Sequence, residues 1–85
     1  MPILELVTDI MEKGKFVKSK QSSAKLKAHI EHLFQLHKNE RTQATARMVY
    51  SGVVDLARLG QGALANKYAM MFEKEIGYDE LGELN

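Results

Sequence analysis

The run Gly60-Gln61-Gly62 divides two stretches of helical patterning, and no other feature constrains the fold as much. Before it, Ala46, Val49, Val53, Leu56 and Ala57 recur at steps of three and four, with Met48, Tyr50, Val54 and Leu59 widening the stripe. That spacing marks one face of an α-helix. After it, Leu64, Tyr68, Met71, Phe72 and Ile76 repeat the pattern, while Asn66, Lys67, Glu73 and Lys74 fall on other faces. Gly60 can take the left-handed conformation that ends the first arm without a Cβ penalty, and Gly62 can open the second. A link this short folds the arms into a helical hairpin. Gly52, Ala57, Ala63, Ala65 and Ala69 are small enough to let the helix backbones approach closely.

The chain upstream supplies partners for that hairpin. Ile3, Leu6, Val7, Ile10 and Met11 share one face of a short helix opened by Pro2, with Glu5, Asp9, Glu12 and Lys13 opposite and Gly14 as its stop. Ser22 or Ser23 can cap a second helix over about 24–38, whose inner face carries Leu26, Ile30, Leu33, Phe34 and His37. Asn39 ends that helix in this reading, and Asn39 or Thr42 caps the next after a short link, making helices 2 and 3 neighbours. The predicted fold is all-α. It is a compact bundle of about four helices, over roughly 2–13, 23–38, 41–59 and 62–76, in a single domain spanning 1–85.

Composition narrows the function classes. A chain of 85 residues with 45% hydrophobic and 27% charged content supports one soluble globular core. So short a chain hides only about 60–65% of its unfolded surface, which makes a homodimer or another protein partner an expectation. Cysteine is absent, which removes disulfides, thiolate catalysis and cysteine-based zinc sites and favours a cytoplasmic protein. The N-terminal segment has neither a basic leader nor a long apolar run, so no signal peptide and no membrane association are expected.

Charge is separated along the chain. Lys13, Lys15, Lys18, Lys20, Lys25 and Lys27 lie within fifteen residues that contain no acid, and much of this basic stretch is an expected loop near 13–22. Such a field draws phosphate backbones or an acidic protein surface. The arginines are Arg41, Arg47 and Arg58, and Arg58 can pair locally with Asp55. The tail over 78–85 is acidic, with Asp79, Glu80 and Glu83, so a net charge of +1 conceals a dipolar molecule. An intramolecular clasp, head-to-tail association or simple fraying of the tail are the consequences open to it, with Tyr78 covering the end of the core.

Leu56-Ala57-Arg58-Leu59-Gly60-Gln61-Gly62, followed by Ala63-Leu64-Ala65-Asn66-Lys67-Tyr68, resembles the turn and recognition helix of small repressors. It departs from them in placing only Arg58 between Ala57 and Leu59-Gly60, where two residues are usual. The resemblance implies that Gln61, Asn66 and Lys67 face DNA while the lysine stretch holds the backbone. His29 and His32 are three apart, but no carboxylate completes a site with them or with His37, and Glu31 falls on another face. Neither a metal nor another cofactor is expected. No positioned acid and base appear, and a small-molecule substrate and enzymatic activity are not expected either. The leading expectation is a non-enzymatic helical regulator or inhibitor-like adaptor. Its interface would be apolar helix edges at Met48, Val54, Leu59 and Met70, with nucleic-acid binding as the alternative.

Overall fold

Ser22 and Thr42 fix where two of the four helices begin. The computed structural model describes residues 2–14, 16 and 21–82. Its helices are α1 (Ile3–Lys13), α2 (Ser23–Glu40), α3 (Gln43–Arg58) and α4 (Gly62–Glu75), followed by a one-turn 3-10 helix at Tyr78–Leu81, here the strap. The Ser22 hydroxyl accepts the Lys25 amide at 3.3 Å and caps α2. Thr42 and Thr45 cap α3 reciprocally: each hydroxyl accepts the other residue's backbone N–H at 3.1 Å.

Two sequence-based boundaries move. The second helix does not stop near Lys38 but runs to Glu40, and Asn39 lies inside it, accepting a bond from the Gln35 amide at 3.1 Å. The third begins at Gln43 instead of at residue 41, because Arg41 and Thr42 form the whole link. Arg41 ends α2 in the left-handed region, at φ 47° and ψ 54°. No local pattern marks an arginine for that conformation, which glycine or asparagine adopts with less strain.

Helix α3 is the hub. It packs against α1, α2, α4 and the strap, and α1 also packs against α4. Val49, Val53, Leu56 and Ala57 of α3 meet Ile3 and Val7 of α1, Leu26 and Ile30 of α2, and Tyr68, Ala69 and Phe72 of α4 in one apolar cluster. The hinge behaves as its glycines require, with Gly60 at φ 79° and the Gln61 amide bonding back to the Leu56 carbonyl at 2.9 Å. Ser23 donates to Gln61 Oε1 at 3.0 Å, tying the start of α2 to that turn. Among the described residues no helix is long and apolar enough to cross a membrane.

The acidic tail docks through its first residues. Tyr78 accepts the Ile3 amide at 2.8 Å and donates to Glu73 at 2.6 Å, while its ring stands edge-on to Phe72. Leu81 is buried, and its carbonyl accepts from Arg47 Nε at 3.0 Å. Partial burial, followed by the bond to Glu73, pushes the Tyr78 phenol up to about 12. The folded-state value exceeds the unfolded one, so this group stabilises the fold fully below about pH 10 and loses that contribution as pH rises towards 12. The stability difference between wild type and Tyr78→Phe should therefore be flat from pH 7 to about 10 and shrink above it. Urea midpoints measured across pH 8–12 check this, and a constant difference would contradict it. Burial raises Tyr50 and Tyr68 in the same direction, but those contributions are common to both proteins.

Candidate functional site

Because α2 and α4 each pack on α3, a groove opens between them over part of their lengths. Phe34 on α2 and Tyr68 on α4 lean together with ring centroids 5.8 Å apart, and Met71 and Ile76 extend this apolar floor. Glu31, Lys38, Arg41 and Glu75 stand along the walls of a cavity of about 420 Å³. That volume suits one or two bulky side chains or a small ligand. Tyr68 donates to Glu31 at 3.1 Å, so this carboxylate is part of the groove and not on an uninvolved face. Desolvation, then the bond to Glu31, holds the Tyr68 phenol above its ordinary value and keeps it a donor at neutral pH.

At the other end lies a polar cluster. His37 is 1% exposed, with Nδ1 2.8 Å from Thr45 Oγ1 and Nε2 3.0 Å from Glu80 Oε1. A carboxylate can only accept, so Nε2 carries a proton. The Arg41 guanidinium donates to both Glu80 oxygens, at 2.9 and 3.1 Å. Hydroxyl, imidazole and carboxylate thus stand in the order of an acyl-transfer triad, yet the hydroxyl is badly placed for attack. Thr45 is 5% exposed, its Oγ1 already bonds the Thr42 backbone, and the groove reaches His37 but not Thr45. What this arrangement does is fasten the strap to α2 and α3. The strap is therefore clasped through Glu80, with His37 and Arg41 as its partners.

The sequence-nominated residues do not gather in one place. Lys15, Lys18 and Lys20 lie outside the described residues, as does Glu83 of the tail. Lys13 is paired with Asp9 at 3.0 Å, and Lys25 and Lys27 are exposed about 200° apart around α2. On the proposed DNA face, Gln61 is engaged by Ser23, Lys67 sits 5.5 Å from the Tyr68 ring centre, and Asn66 shares a depression with Glu12. An acid beside Asn66 opposes a phosphate backbone. Arg58 pairs with Asp55 at 3.7 Å, as the sequence suggests.

The apolar edges divide as well. Val54 is a correction: at 4% exposure it is buried, and it lines a hollow with Leu6, Tyr50 and Arg58 instead of offering a contact. Leu59 is half-buried against the core. Met48 and Met70 are exposed at 44% and 57%, on α3 and on the outer side of α4. His29 and His32 are exposed on α2, and among the described residues no group of three or more acidic, histidine or cysteine side chains could hold a metal.

No protein-family model, curated protein or solved structure matches this chain. The groove between α2 and α4 is therefore interpreted from its own chemistry. The sequence could not single it out, since Phe34, Tyr68 and Met71 sit on stripes that read equally well as closed core.

Proposed function

We propose that this protein is a non-catalytic helical adaptor that binds a segment of another protein in the groove between α2 and α4, and regulates that partner by occupancy. The observation that carries the reading is the apolar floor of half-buried Phe34, Met71 and Ile76 over the buried ring of Tyr68, bounded by charged side chains at both ends. An apolar anchor in a concave pocket with a polar rim is the usual anatomy of a protein-binding site. Met48 and Met70 project from other surfaces as separate side chains, which gives the groove the stronger claim.

Site-specific cross-linking tests it. A photoreactive phenylalanine analogue at Gln35, on the groove wall, should capture a discrete protein in cells that express the chain, and Met71→Glu should abolish the capture. The same analogue at Ala63, exposed on the side of α4 that borders α1, should not capture that protein. Equal capture from both positions, or capture that survives Met71→Glu in a folded variant, would place the contact elsewhere. Light scattering on the purified chain separates a second copy from a foreign partner.

A further inference from the structure

We infer that the basic end of this groove is a carboxylate receptor whose two donors, His37 and Arg41, Glu80 engages from within the same chain, so that the partner is an acidic peptide segment competing with the strap. The inference rests on the groove being the protein-binding site. His37 and Arg41 line the groove, and the same two side chains hold Glu80. Strap and groove therefore share these two donors.

Three observations specify the ligand's chemistry. The receptor already holds a carboxylate, with three bonds of 2.9 to 3.1 Å from a guanidinium and an imidazole. Both guanidinium bonds come from the single Arg41 Nη2, and charge-assisted bonds of this kind are stronger than neutral ones. The contact is also reachable from solvent: the Glu80 side chain is 28% exposed and that of Arg41 56%. Finally, Arg41 is the one non-glycine residue with positive φ among those described. That backbone is costly for a residue with a Cβ, and glycine would end α2 without the cost. Arginine at this position sets a guanidinium at the mouth of the groove.

The charge layout gives the partner a direction. With Glu80 withdrawn, Lys38 and Arg41 outweigh Glu75 at this end, while Glu31 stands seven residues before Lys38 along α2, about 10 Å away. A segment that lays an apolar side chain over Phe34, Tyr68 and Met71 and presents a carboxylate towards Arg41 satisfies both parts. Leu81, Tyr78 and the Arg47 bond still hold the strap, so the exchange needs only the Glu80 side chain to move.

The test uses two probes, N-acetyl-phenylalanyl-glutamate amide and its glutamine counterpart, titrated by NMR into the full chain and its Glu80→Gln variant. Signals from the Met71 methyl, the His37 ring and the Arg41 guanidinium are followed. The glutamate probe should bind Glu80→Gln about tenfold more tightly than wild type, because one competing charge-assisted interaction has been removed. Adding Arg41→Gln should cancel that gain. The glutamine probe should bind both proteins alike. If the two probes bind all proteins equally at Met71, the groove stands and the carboxylate receptor is overturned. If neither probe moves the Met71 methyl in any protein, the groove reading itself fails, and the inference with it. Glu80→Ala repeats the comparison should Glu80→Gln not give a native spectrum.

Discussion

Phe72→Ala should cost about 3–5 kcal/mol, a large share of what holds a chain of this size together. Phe72 is 0% exposed on α4 and meets two other rings edge-on, Tyr50 of α3 at 5.6 Å and Tyr78 of the strap at 5.5 Å. Truncation removes the buried area, leaves a cavity that three elements cannot close together, and deprives both tyrosines of their ring contact. Urea unfolding followed by circular dichroism would show the midpoint collapsing, or no cooperative transition at all. Phe72→Leu keeps most of the volume and should lose much less. Phe34→Ala should also be milder, because Phe34 is only half-buried at the groove. A loss below about 1 kcal/mol for Phe72→Ala would mean that the three elements do not converge on this ring.

The helices are legible because each buries one stripe, and a stripe at steps of three and four has no other economical conformation. Phe72, Ile30 and Val53 are buried where the spacing puts them. Boundaries are less legible. The capping pair of Thr42 and Thr45 competes with a second candidate cap at Asn39 close by, and nothing in the type of residue 41 announces a left-handed arginine. Val54 shows why stripe edges mislead: whether an edge residue is covered depends on which neighbour rotates over it, and here it lies in a hollow that Leu6 of α1 shares.

The candidate site is almost invisible in the sequence for a related reason. Its defining pairs are distant along the chain: Phe34 meets Tyr68, Tyr68 meets Glu31, and His37 meets Glu80 forty-three residues away. Local periodicity carries no information on such pairs. The one available signal is electrostatic. An acidic tail on a nearly neutral chain implies an internal or external counter-charge, and a clasp is one expectation on that ground. The conspicuous counter-charge is the lysine stretch, whereas among the described residues Glu80 is held by Arg41 and by a histidine that would otherwise be a costly buried polar group.

Gly52→Val carries the second large expected effect, and it runs against helix propensity. Glycine inside a helix is worse than alanine by about 1 kcal/mol, so a free position would gain from replacement. Gly52 is not free. A Cβ there would lie 2.8 Å from Leu33 Cδ1 and 2.9 Å from Ile30 Cδ1, so α2 uses this notch to approach α3. Leu33 borders a surface depression and can give way outwards, whereas Ile30 is 1% exposed and has no room. Alanine should therefore do little, its propensity gain offset by the displaced methyls. Valine adds two further carbons on a stiff side chain and should cost about 1–3 kcal/mol. Because α2 also forms one wall of the groove, Gly52→Val should weaken probe binding at Met71 even where the protein remains folded. Chemical denaturation and the same NMR titration measure the two effects separately. If Gly52→Ala stabilised the protein by the full 1 kcal/mol or so, the α2–α3 contact would be looser than these distances allow, and the position of the groove wall would have to be drawn again.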